Sequence, residues 1–167
     1  EIFNYLRVRL TQINKVIKFK FIKKSDLIYE ECSPVTQSMV FCKDNSNNFC
    51  VVRDYDEEHY SLPGGGCDLD ESPLDGAKRE LMEEAQITAK EFELIGAVVV
   101  EMYLNDNLIS KSKQMRYSCV VDHLEDFIPR KDGFEIIERL FWNKEEISEK
   151  VKQLKNDTGL ELLKYVK

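Results

Sequence analysis

The chain has 167 residues, 43% hydrophobic and 33% charged, with a formal net charge of −7. That length favours one domain over the whole of 1–167 with a real buried core, and the composition excludes a disordered chain. The acidic balance excludes a broad nucleic-acid-binding surface, and no apolar run approaches the length of a membrane span.

The charge is uneven: residues 1–24 carry seven basic side chains against Glu1 alone. Residues 1–33 read as an N-terminal extension. Ile2, Leu6, Leu10 and Ile13 have helical spacing over 2–14, and Ile17, Phe19 and Phe21 then alternate with Lys18 and Lys20 as in a strand. The opening residues lack a secretory signal pattern. The five cysteines are scattered and form no C-x-x-C or zinc spacing. Free thiols in a reducing cytoplasm are the expectation, with Cys67 open to oxidation.

After Pro34, Val35 to Lys43 and Phe49 to Asp54 read as two strands joined by the turn Asp44-Asn45-Ser46-Asn47-Asn48, a hairpin. Tyr60-Ser61-Leu62-Pro63 leads into Gly64-Gly65-Gly66. A helix follows: Ser72 is a good N-cap, Pro73 fits the first helical position, and Asp75 nearly completes a capping box. Leu74, Ala77, Leu81 and Ala85 form its apolar stripe. Glu80, Glu83 and Glu84, at i, i+3 and i+4, share another face, with Gly76 one turn upstream leaving room there. Three carboxylates together repel, and Arg79 is placed to pair with Glu83. Clustered oxygen ligands beside a glycine loop suit a hard cation, Mg²⁺ or Mn²⁺, which can bind phosphate oxygens and activate water.

Beyond the helix, Phe92 to Leu104 and Gln114 to Asp122 read as strands, the first ending at the turn Asn105-Asp106-Asn107. Phe134 to Trp142 is a further strand, and Lys144 to Lys155 an amphipathic helix with Ile147, Val151 and Leu154 on one side. Gly159 reads as a break before a short C-terminal helix. A mixed β-sheet flanked by helices, an α/β class α/β/α sandwich, is the expected architecture.

The stretch from Gly65 to Ile87 resembles the Nudix hydrolases, whose signature is G-x5-E-x7-R-E-U-x-E-E-x-G-U with U a bulky aliphatic residue. Gly65, Glu71, Arg79-Glu80-Leu81, Glu83-Glu84 and Ile87 stand at the fixed positions; Gln86 replaces the signature glycine. Leu62-Pro63-Gly64-Gly65 also fits the family's entry to its catalytic helix. The resemblance implies the Nudix α/β/α fold and hydrolysis of a nucleoside diphosphate linked to another moiety, a nucleotide-type small molecule, with Mg²⁺ or Mn²⁺ as cofactor.

The motif match implies Glu83 and Glu84 as metal ligands, Glu80 as ligand or base, and an oxygen from Gly64. It implies that Arg79 orients a glutamate and that Gly65 and Glu71 support the loop. Glu138 is the first candidate for a later catalytic acid and Glu135 the second. Tyr103 and Trp142 are candidate base platforms, with Tyr60 and Phe141 as alternatives. A nucleoside triphosphate or dinucleoside polyphosphate is the expected substrate. The alternatives are ADP-ribose, a nucleotide sugar, or a non-catalytic nucleotide-binding module. A homodimer is compatible with the sequence. At Gln86, either a left-handed residue ends the helix or the helix runs on.

Overall fold

The computed structural model describes residues 14–30, 34–129 and 136–167. Apart from residue 14, the helix expected over 2–14 lies outside them, as do Glu135 and the start of the strand expected from Phe134. The strands are β1 (Lys15–Lys23), β2 (Val35–Lys43), β3 (Phe49–Asp54), β4 (Gly64–Gly66), β5 (Ile87–Leu104), β6 (Asn107–Leu124) and β7 (Ile136–Trp142). They form one sheet in the order β1-β5-β6-β2-β3-β7, with β4 against β2. β2 runs parallel to β6 and the other pairs are antiparallel, so the sheet is mixed.

Helix α1 (Pro73–Ala85) covers one face through Ala77, Leu81 and Ala85, which pack with Val40, Val52, Ile87 and Tyr117. Helices α2 (Lys144–Lys150) and α3 (Asp157–Leu163) cover the other. There Ile147, Val151, Leu154 and Leu162 pack on Phe41, Phe49 and Val51. Alternate residues of β2 and β3 feed the two cores, as a pleated strand buried on both faces requires. The expected α/β/α sandwich is the observed fold.

The turn after β2 forms, with Asp44 Oδ1 accepting from Ser46 N and Asn48 N at 2.8 Å each, but the two strands do not continue as a hairpin. They share the single pair Lys43↔Phe49. The rest of that edge of β2 is taken by the glycine strand, Gln37 to Met39 pairing with Gly66 to Gly64, and β3 pairs with β7 instead. β5 and β6 are each 18 residues long: β5 ends at Leu104 as expected but begins earlier, at Ile87, and β6 extends past both expected ends. Their connection is a two-residue loop, Asn105 (φ 48°) and Asp106 (φ 64°), whose positive φ values suit the twist of a tight hairpin.

The helix expected over Lys144 to Lys155 stops at Lys150. Val151 is extended (φ −82°, ψ 117°), and a separate 3-10 turn covers Lys152–Leu154. Gly159 is not a break but lies inside α3, whose N-cap Asn156 accepts from Gly159 N at 2.9 Å. A Cβ at 159 would stand 2.5 Å from Leu154 Cα, so the glycine lets α3 sit directly on the preceding turn.

Candidate functional site

Helix α1 begins as its sequence dictates. Ser72 is extended, and its Oγ accepts from Asp75 N at 3.1 Å. Asp75, one methylene shorter than Glu, takes the Ser72 hydroxyl (2.7 Å) rather than the N-cap N–H of a full capping box. At the other end Gln86 adopts φ 53°, ψ 46°, and its N–H bonds the Met82 carbonyl. The helix therefore ends at the signature glycine's position with a left-handed glutamine. The side chain compensates for that strain: Nε2 donates to the Ile128 carbonyl (2.6 Å), and Oε1 accepts from Ile128 N (2.9 Å).

The glycine loop and the carboxylate stripe are built against each other. Gly64, at φ 151°, has no room for a side chain: a Cβ would lie 2.3 Å from the Ser38 carbonyl oxygen. Its N–H donates to Glu84 Oε2 at 2.9 Å. A Cβ at Gly65 would fall 2.6 Å from the Glu80 carboxylate. Gly76 leaves space for Glu71, whose Oε2 would lie 2.9 Å from a Cβ there.

Arg79 is the hub. Its Nε and Nη2 hold the two Glu71 oxygens at 2.9 and 3.0 Å, Nη1 reaches Glu80 (2.8 Å) and Glu83 (3.3 Å), and Nη2 also bonds the Gly66 carbonyl (2.9 Å). The fork geometry of a guanidinium allows this; an ammonium could not do it. The Glu71 pair, reinforced by Glu80, raises the Arg79 pKa further, and Arg79 in turn holds Glu71 below the usual carboxylate range.

Glu84 is the buried member. Removal from water pushes its pKa up to about 7, opposed by the Gly64 N–H and assisted by the charges of Glu80, Asp54 and Glu83. Among the described residues no three acidic, histidine or cysteine side chains form a ready metal cage. The donor chemistry nevertheless fits a hard divalent cation: every side-chain donor on this face is a carboxylate, and the most buried one is crowded by like charge.

A cleft of about 590 Å³ opens beside Glu84, lined also by Asp54, Tyr60, Arg116 and Gln153. Tyr60 is the aromatic residue of the expected set that lines it, with Trp142 packed behind at 4.5 Å between centroids. Tyr103 does not line it. Its hydroxyl bonds Glu101 (2.8 Å) near the β5–β6 turn, and Lys18 Nζ sits 4.5 Å over its ring. Glu138 is not brought to the carboxylate stripe either. It alternates with Arg139, which reaches the Ala85 carbonyl at the end of α1, and so stands on the other face of β7. There its Oε2 accepts from Arg53 Nε (3.1 Å) and Tyr60 Oη (2.5 Å), bonds that hold its carboxyl below the usual range.

Sequence reasoning missed Asp54 and Arg116. Asp54 ends a strand and belongs to no motif; only the packing of β3 beside α1 reveals it. Arg116 looks like an ordinary strand cation: it alternates with Met115, Tyr117 and Cys119, which pack in the α1-side core, and shares its parity with the polar Gln114 and Ser118.

Among the described residues no helix is long and apolar enough to cross a membrane. The chain is similar in fold to the pyrophosphohydrolase BsRppH of Bacillus subtilis (TM-score 0.65, 18% identity, 91% of this chain and 90% of that one). It is also similar to a UDP-X diphosphatase (TM-score 0.60, 18% identity, 83% and 68%). An ADP-ribose pyrophosphatase from Streptococcus suis is a third similar structure (TM-score 0.53, 20% identity, 80% and 89%). No curated protein matches the chain in sequence. The NUDIX domain profile matches residues 34–161, most of the chain and all of the site just described, and the chain belongs to the Nudix hydrolase family.

Proposed function

We propose that this chain hydrolyses a pyrophosphate bond in a nucleoside triphosphate or dinucleoside polyphosphate. Mg²⁺ or Mn²⁺ would be held by Glu80, Glu83 and Glu84, with an oxygen from Gly64. The observation that carries the reading is the Glu84 carboxylate, buried on the Gly64 N–H beside Glu80 and Glu83 and lining the cleft. A cation bound there supplies positive charge to phosphate oxygens and lowers the pKa of water.

The chain's own residues do the rest. Arg79 holds Glu80 and Glu83 on one side and is itself fixed by Glu71 on the other, so the acids are oriented before substrate arrives. Glu80, largely buried between Arg79 and Gly65, is the residue best placed to be either ligand or base. Tyr60 presents its ring to the cleft for a nucleobase, fixed from behind by Trp142 and through its hydroxyl by Glu138. Glu138 thereby positions Tyr60.

The test is kcat/KM with Mg²⁺ or Mn²⁺ across nucleoside triphosphates, diadenosine polyphosphates and ADP-ribose. Metal-dependent turnover favouring the first two is expected. A tenfold preference for ADP-ribose, about 1.4 kcal/mol, would overturn the substrate assignment. No metal-dependent turnover of any of them would overturn the activity.

A further inference from the structure

Arg116 sits in the middle of the sheet, paired with Met39 on β2 and Gly96 on β5, and is 4% exposed. Its Nη1 donates to the Met115 carbonyl at 3.1 Å and its Nη2 to Gln114 Oε1 at 2.9 Å. Both acceptors are neutral. A guanidinium has five N–H donors and a full charge, and burying that charge without a carboxylate is unfavourable. Among the described residues no acid pairs with it, and burial alone acts on it, pushing its pKa down to about 10.

Three further features lie in the same cleft. Gln153 lines it, and Gln153 Oε1 is a buried acceptor with no donor among the described residues. Lys152 lines it as well and forms no ion pair among the described residues. The cleft's acids are Asp54, Glu57 and Glu84. Glu84 reaches the cleft from α1 and Asp54 from the end of β3, whereas Arg116 reaches it from β6 and has only neutral acceptors among the described residues. The cleft thus has an acidic end at α1 and a cationic end at β6.

We propose that the cationic end is a phosphate receptor. Arg116 binds an anionic phosphate of the polyphosphate substrate, and Gln153 Oε1 accepts from a hydroxyl or N–H of the same molecule. This deepens the proposed function and rests on it. The acidic end needs a cation to meet phosphate, whereas the β6 end meets phosphate directly. One cleft can therefore hold two parts of a polyphosphate chain by opposite means. An anion also supplies the charge partner that Arg116 does not have among the described residues.

The probe is a non-hydrolysable imido analogue of inorganic tripolyphosphate with Mg²⁺, which contains no base or sugar. Calorimetry should show binding to the unaltered protein and at least tenfold weaker binding to Arg116→Met. That variant should also melt higher, because a buried charge has been replaced by an apolar side chain of similar length. If Arg116→Met fails to fold, Arg116→Lys, which keeps the charge but loses the fork, should weaken binding at least threefold. No binding to the unaltered protein, or unchanged affinity in the folded variant, overturns the receptor. Failure of the catalytic reading looks different: Arg116-dependent binding would persist without turnover of any nucleotide. Normal turnover and KM in Arg116→Met would remove the receptor and leave the activity standing.

Discussion

Gln86 offers a test of backbone and side chain together. It holds φ 53° at the helix end and ties its amide to both backbone groups of Ile128. Replacing it with Ala keeps the left-handed strain and removes the two hydrogen bonds. At about 0.5–1 kcal/mol for each partly exposed bond, the loss is about 1–2 kcal/mol. Replacing it with Gly loses the same bonds but relieves a left-handed penalty of about 1 kcal/mol. Gln86→Gly should therefore lie within about 1 kcal/mol of the unaltered protein and above Gln86→Ala by about the same amount. In a chain of this size that difference is a Tm gap of about 2–4 °C, readable by thermal melting of both variants side by side. If Gln86→Ala melted at or above Gln86→Gly, residue 86 would not be left-handed in solution. If Gln86→Ala matched the unaltered protein, the Ile128 clamp would contribute nothing.

Three further outcomes are expected. In metal-free protein the raised Glu84 pKa predicts falling stability from about pH 4.5 to 7. The unfolded chain releases this proton first, and above pH 7 the full penalty, about 3 kcal/mol at most, applies. Melting temperatures of the unaltered protein minus those of Glu84→Gln should drop across that window, and a flat difference would refute the burial argument. Gly65→Ala should displace the Glu80 carboxylate, which a Cβ would approach to 2.6 Å, and slow turnover with little change in Tm; unchanged turnover would remove Glu80 from the reaction. Glu138→Gln weakens the anchor of Tyr60 and should raise KM more than it lowers kcat, whereas turnover slowed by about 100-fold or more would restore Glu138 as a catalytic acid.

Local rules carried the sequence reading where structure is local. Ser72, Pro73 and the Leu74–Ala85 stripe specify α1 through capping and periodicity, and the motif spacing identifies the face that Arg79 and the glutamates share. Long-range pairing leaves no such local trace. Nothing near Asp44 reveals that the glycine strand takes the β2 edge that a hairpin would need. Val151 keeps the helical spacing of Ile147 and Leu154, so the apolar pattern survives although the backbone turns at 151. Gly159 suggested a break because a glycine's conformational freedom is visible in sequence, whereas close approach to Leu154 is not. Tyr103 has the composition of a base platform, but it lies near the β5–β6 turn and does not line the cleft. Asp54 and Arg116 become site residues only when β3, β6 and α1 are brought together.

The central claim is that the α1 carboxylates act through a divalent cation. The most direct test compares turnover of a nucleoside triphosphate with Mg²⁺ by Glu83→Gln, Glu84→Gln and the unaltered protein, beside their melting temperatures. Each substitution keeps the shape and removes the charge. Turnover should slow by at least about 100-fold in each variant, about 3 kcal/mol of lost transition-state stabilisation, with the fold retained. Near-unaltered turnover in both variants would contradict that claim.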